Sequence, residues 1–232
     1  KNLKGNSIIW LTNIDKIKKN PTIFIANEFF DSIAIKQFIK IENSWFERYV
    51  KMKSKSRAFF FDKKFNMKNF EKKIKFQISY KQNFIEYSEL GVKYLEIISK
   101  IIKKNNGGIL IIDYGYFDEK MKNTLQAISN QKYSNILNNV GSSDITHNIN
   151  FNLFKRIVKK IGGLKELTAT QRNFLINIGI KERAEIISKN LPFLKKADIY
   201  YRLQRLIDEK QMGNIFKVML IKNKSSKFNL GF

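Results

Sequence analysis

Residues 88–113 read SELGVKYLEIISKIIKKNNGGILIID, and this stretch decides the fold class. Val92, Leu95, Ile98, Ile101 and Ile102 recur at helical spacing, which predicts a helix over Ser88–Lys104 with one apolar face. Ser88 is placed to cap its start, Lys103 and Lys104 suit the partial negative charge at its end, and Asn105–Gly108 stop it. Ile109–Asp113 follows at once, four apolar residues and an acid without alternation, as in a parallel strand covered on both faces. A helix feeding such a strand is the habit of a βαβ unit, so an α/β fold is expected.

Toward the N-terminus two further short, buried strands are predicted, Ser7–Leu11 and Thr22–Ala26 (TIFIA), the second rich in β-branched residues and following Pro21. Thr12–Asn20 between them is polar and too short for a full crossover helix. Gln37–Ile41 and Trp45–Met52 flank Glu42-Asn43-Ser44 and alternate loosely, which predicts an antiparallel hairpin joined by Arg57–Phe61. It interrupts the α/β rhythm, so residues 36–83 read as a hairpin insertion. Further on, Phe151–Ile161 carries Phe154, Ile157, Val158 and Ile161 on one helical face. Gln171–Asn190 and Phe193–Lys210 read as helices split by Pro192, giving a helical region over 151–210, and Ile215–Ile221 as a closing strand. No repeat or low-complexity linker appears, and residues 1–232 read as a single domain.

An apolar fraction of 43% supplies a packed core, and the absence of cysteine excludes disulfides, zinc fingers and thiol nucleophiles. With His147 as the lone histidine, no metal site is expected and a Ser–His–Asp triad is a poor fit. The apolar runs are far shorter than the roughly 18–20 residues of a spanning helix, and Lys1–Leu11 is too short for a signal peptide. The chain opens on Lys1 instead of Met, as a processed or incomplete product would. Its 44 basic against 20 acidic residues give a net charge of +24, which first suggests nucleic acid. Only seven of the basic residues are Arg, however, and the lysines are spread along the whole chain. Lysine filling solvated positions in a composition-biased genome is the plainer reading, so a nucleic-acid partner is not expected; a basic surface for RNA or an acidic partner is the other.

Two acidic–aromatic turns follow strands, where ligands bind in open α/β sheets: Asn27–Asp31 after TIFIA, and Asp113-Tyr114-Gly115-Tyr116 after ILII. Glu28 and Asp31 could hold a cationic group, and Phe29, Phe30, Tyr114 and Tyr116 could stack on it; ordinary strand-end capping accounts for the same residues. Glu86–Ser88 is a third candidate, with a helix N-cap as the simple role of Ser88. No G-x-G-x-x-G or Walker A motif is present.

Seven blocks in order carry a more specific signal: IANEFFDSIAIKQF (25–38), FIEYSELG (84–91), GGILIIDYGY (107–116), TLQAISNQKYSNIL (124–137), SSDITHNINF (142–151), TQRNFLINIGIKERAE (170–185) and QMGNIFKVMLI (211–221). Together they resemble the MidA-like family of class I S-adenosylmethionine-dependent methyltransferases, which includes a mitochondrial complex I assembly factor that methylates protein arginine. The resemblance implies a Rossmann-like methyltransferase sheet with an inserted antiparallel hairpin and a helical C-terminal part. It is N-terminally incomplete, because the family's Gly-rich cofactor loop has no counterpart here. Ser7–Leu11 would be the family's third strand and TIFIA its fourth, and the chain is expected to be a fragment.

The resemblance implies S-adenosyl-L-methionine as cofactor, with Asn27 and Glu28 beside it, Glu28 then Asp31 as catalytic acids, and Asp113, Tyr114 and Gly115 facing the substrate. His147 stands one place before the position where relatives often carry histidine; Asn148 occupies that position, and His147 receives no catalytic role. A protein substrate is implied, with a complex I subunit as the candidate, in a bacterial cytoplasm or alternatively the mitochondrial matrix. The competing readings are a non-catalytic basic binding module and an inactive fragment that lacks the cofactor loop.

Overall fold

In the computed structural model, which describes residues 8–232 other than 18, 55–56, 131 and 139–140, the strands run in chain order Thr22–Asn27 (β1), Lys36–Ile41 (β2), Ser44–Ser54 (β3), Arg57–Phe65 (β4), Phe84–Tyr87 (β5), Gly107–Tyr116 (β6), Gln126–Ser129 (β7), Lys132–Ser134 (β8), Asp144–Thr146 (β9), Ile149–Asn150 (β10), Leu164–Thr170 (β11) and Phe216–Asn223 (β12). The helices are Met67–Ile74 (α1), Glu89–Asn105 (α2), Phe151–Ile161 (α3), Gln171–Asn177 (α4), Ile180–Ser188 (α5), Phe193–Ile207 (α6) and Met212–Ile215 (α7).

Helix α2 forms where its stripe and caps predict. The Ser88 hydroxyl accepts the Gly91 N–H at 3.0 Å, and the Asn106 N–H closes the last turn on Ile102 O at 2.9 Å. Val92, Leu95, Ile98 and Ile102 are buried, each stabilising the fold by about 1.5–3 kcal/mol relative to exposure. They meet Ile109 and Ile111 of β6, Met219 and Ile221 of β12, and the Phe154–Ile157–Val158 face of α3 in one core.

The main sheet runs β1-β6-β12-β11. β1 and β6 are parallel with Ala26 opposite Ile111, β12 lies antiparallel to both its neighbours, and β10 pairs with the carboxyl end of β6. A second, antiparallel sheet runs β4-β3-β2-β5 and a small third one β8-β7-β9. The anticipated hairpin is therefore present, extended by β5, with α1 in the connection.

Four expectations need correction. Ile8–Leu11 form no strand and lie in solvent, with Trp10 91% exposed, and Ser7 is outside the described residues. An apolar run becomes a strand only beside a ladder edge, and among the described residues none pairs with this one. Gln171–Asn190 is not one helix: it breaks between α4 and α5 at Gly179, whose φ of +85° lies in the left-handed region. Leu164–Thr170, unassigned from sequence, is the edge strand β11. TIFIA is a strand but not a fully buried one, because Ile23 and Ile25 are 80% and 73% exposed. They border an apolar groove of about 690 Å³ on the sheet face opposite α2 and α3, shared with Leu110, Leu220, Phe174 and Phe228.

Among the described residues, no helix is long and apolar enough to cross a membrane.

Candidate functional site

The site grows from the adjacent carboxyl ends of β1 and β6. The Glu28 N–H donates to Ile112 O at 3.0 Å, extending the parallel ladder one step past Asn27. Glu28 then takes a φ of +45°, a left-handed conformation that turns the chain back over the sheet edge. Asn27 and Glu28 are exposed, and the Asn27 amide donates to Glu28 Oε1 at 3.5 Å. Phe30 points inward, packing edge-on against Phe154 at 5.1 Å, and Phe29 stays near the surface between Phe30 and Tyr94.

Asp113 fastens this turn from below. Alternation along β6 from Ile109 and Ile111 sends its side chain into the covered face, where it is fully buried. Its Oδ2 accepts the N–H groups of Phe30 at 3.0 Å and Asp31 at 3.4 Å, and its Oδ1 accepts its neighbour Tyr114 N–H at 2.9 Å. Burial pushes its carboxyl up to about 7, with the nearby Asp31 carboxylate adding to the rise. Asp31 is itself buried, and its Oδ1 has no hydrogen-bond partner among the described residues. Desolvation first, then the charge of Glu28, raises the Asp31 pKa as well.

The loop before α3 straps the turn from the side. The His147 N–H donates to Asp31 O at 3.2 Å, and its ring Nε2 lies 3.2 Å from Ile33 O. His147 thus braces the turn. Tyr114 packs on Phe216, centroids 4.1 Å apart, and burial together with Glu28, Asp31 and Asp113 raises its phenol pKa. Gly115 answers to packing: a Cβ there would lie 2.4 Å from Ile149 O and 2.6 Å from the Phe151 ring.

So the structure brings Asn27, Glu28, Asp31 and Tyr114 to one rim. It sets Asp113 beneath that rim, where strand parity buries its side chain, and Gly115 against β10, where the backbones approach closely.

Glu86, flagged only in passing, does more than its neighbours suggest. Its buried carboxylate accepts Gln37 Nε2 at 2.8 Å, Thr124 N at 3.0 Å and Leu125 N at 3.1 Å, and the Thr124 hydroxyl as well. The signal was available as a lone acid inside the apolar strand FIEY. The Ser88 hydroxyl caps α2 and also donates to Ala34 O at 2.9 Å. A cavity of about 30 Å³ between Glu86, Ser88, His147 and Phe30 has room for a water but not for a substrate. No group of three or more metal-ligating side chains occurs among the described residues.

A profile of the S-adenosyl-L-methionine-dependent methyltransferase family matches residues 1–170. The chain belongs to that family. Among curated relatives, the mitochondrial protein arginine methyltransferase NDUFAF7 of Danio rerio is 26% identical over 94% of this chain and 51% of its own length. Its Caenorhabditis elegans homolog is 30% identical over 77% of this chain and 42% of its own length. This chain spans about half the length of the curated relatives it matches. Two Burkholderia thailandensis crystal structures share its fold. A native form has a TM-score of 0.76 at 19% identity, covering 94% of this chain and 59% of its own. A form bound to S-adenosyl-homocysteine has a TM-score of 0.73 at 20% identity, covering 94% and 57%. The expected α/β methyltransferase sheet is therefore the fold of this family member.

Proposed function

We propose that this chain contributes the acceptor side of an S-adenosyl-L-methionine-dependent protein arginine methyltransferase. The observation that carries the reading is the acidic rim after β1: an exposed Glu28 and a buried Asp31 whose Oδ1 lacks a partner among the described residues. A buried acceptor without a donor is costly unless a ligand supplies one. A guanidinium does, since its planar donors match carboxylate oxygens and its charge offsets two acids held close together. The same rim fits the cofactor: Asn27 and Glu28, exposed at the end of the strand, would meet its polar groups, and the carboxylates favour its positive sulfur. When bound, S-adenosyl-L-methionine supplies an electrophilic methyl group.

The chain's own residues orient the acceptor. Glu28 holds the guanidinium, Asp31 takes its far donors, and Tyr114 closes the side of the rim; fixed acids in a partly dry site cost no reorganisation when the acceptor arrives. By the family resemblance the substrate is an arginine of a complex I subunit, in a bacterial cytoplasm or the mitochondrial matrix; the curated relatives named above are mitochondrial.

Glu28→Gln in the intact protein keeps the side chain's shape and removes its charge. Turnover is expected to fall by on the order of a hundredfold or more while S-adenosyl-homocysteine binding, read by calorimetry, stays measurable. Unchanged turnover removes Glu28 from the mechanism.

A further inference from the structure

Beyond the acidic rim, the hairpin of the second sheet stands away from its neighbours. β2 pairs with β3 only from Ser44 to Arg48, so from Tyr49 onward β3 has β4 alone beside it. Tyr49 lies opposite Phe61, Lys51 opposite Phe59, Val50 opposite Phe60 and Met52 opposite Ala58. Directly opposed residues share a face, so Tyr49, Phe61 and Phe59 lie on one side of this two-stranded ribbon and Val50, Phe60 and Met52 on the other. All six are 38–57% exposed. Lys51, over the Phe61 ring, and Arg48, over the Phe60 ring, interrupt these apolar faces, and two strands without cover are marginal in water.

The backbone and the charges are open in the same way. β4 is an edge strand, paired on one side only, so over Arg57–Phe65 its outer N–H and C=O groups face no strand among the described residues. Both carboxylates of the ribbon and its root are engaged: Glu47 by Lys36 and the Tyr49 hydroxyl, Asp62 by Arg48. No carboxylate pairs with Lys53, Arg57, Lys63 or Lys64 among the described residues. These cations border aromatic side chains and an unsatisfied strand edge.

We propose that this ribbon docks an extended, acidic protein segment, which adds a strand to the outer edge of β4. Strand addition supplies the missing backbone partners; because side chains alternate, carboxylates on one face of the added strand meet Lys63 and Arg57, while apolar side chains on the other continue the Val50–Phe60–Met52 face. A second copy of this chain fits poorly, because it would bring a second set of the same cations, Arg57, Lys63 and Lys64, to the shared edge. Nucleic acid and anionic lipid would answer the lysines but leave the strand edge unpaired.

The test uses the intact protein and a fluorescent peptide of about nine residues alternating valine and glutamate, the length of β4. The acidic peptide should bind, its valine–lysine counterpart should not, and binding should slow hydrogen exchange within Arg57–Phe65. The K63E/K64E variant, its melting midpoint unchanged, should weaken the acidic peptide at least about tenfold and gain the basic one, while S-adenosyl-homocysteine binding stays as it was. Failure of the acidic peptide to bind, equal binding of both peptides, or protection confined to other segments overturns the proposal. So does binding of phosphatidylserine vesicles or poly(U) through Lys63 and Lys64 with no binding of the acidic peptide.

Discussion

Asp113 shows how one side chain can shape a site it never touches. Three backbone N–H groups converge on its carboxylate, two of them from the turn that carries Glu28 and Asp31. Its folded pKa, raised to about 7 by burial and then by Asp31, has a definite consequence for stability. A carboxyl that binds its proton more tightly in the folded state stabilises fully below the unfolded value near 3.9 and loses that contribution as pH climbs toward 7. In a thermal series from pH 4 to pH 7 the wild type should therefore lose ground to Asp113→Asn, which does not titrate. At pH 4 the variant should be the less stable by about 1–3 kcal/mol, since its amide nitrogen faces N–H donors where an oxygen was. Curves that stay parallel across this range would show that Asp113 ionises freely. Legibility at this scale was uneven. Glu28 and Asp31 could be read because acids stand directly after an apolar strand. The inward aim of Asp113 was also available, by counting in twos from Ile109 and Ile111, but the acidic–aromatic turn around it drew attention toward solvent.

Among the elements, those whose pattern and caps agree could be read from the chain. α2 has an apolar stripe, a serine cap and lysines at its end, and α3 likewise begins at its Asn150 cap, whose side chain accepts the Leu153 N–H at 2.8 Å. Where the outcome depended on a distant neighbour, reading failed. Leu164–Thr170 carries Lys165 and Glu166 like a helix flank and becomes a strand because β12 lies beside it. Ile8–Leu11 is apolar enough for a strand and has no described strand to join. Glu86 makes the dependence between elements measurable, because one carboxylate ties β5 to β2 through Gln37 and to the segment before β7 through Thr124 and Leu125. Glu86→Ala would strand those donors in a buried setting and should cost at least about 3 kcal/mol in urea unfolding. Ser88→Ala, losing a cap, should cost only about 1 kcal/mol. Equal effects of the two would deny Glu86 its place as a junction.

At the scale of the whole molecule, a net charge of +24 repels itself in the folded state more than in the expanded one. Raising ionic strength from about 0.01 to about 0.15 M shortens the screening length from roughly 30 to 8 Å, so the melting temperature should rise across that range. A flat or falling response would mean that local ion pairs, such as Arg48–Asp62, outweigh the long-range repulsion.

The groove beneath Ile23 and Ile25 adds a kinetic burden to this electrostatic one. Among the described residues β1 joins the sheet by meeting β6, with Thr22 opposite Gly107, so during synthesis β1 waits through more than eighty residues for this partner. During that interval no described segment covers the isoleucines, and they stay exposed among the described residues after pairing is complete. Such a polypeptide is a natural client of holdase chaperones, and a host depleted of them should deposit it in inclusion bodies.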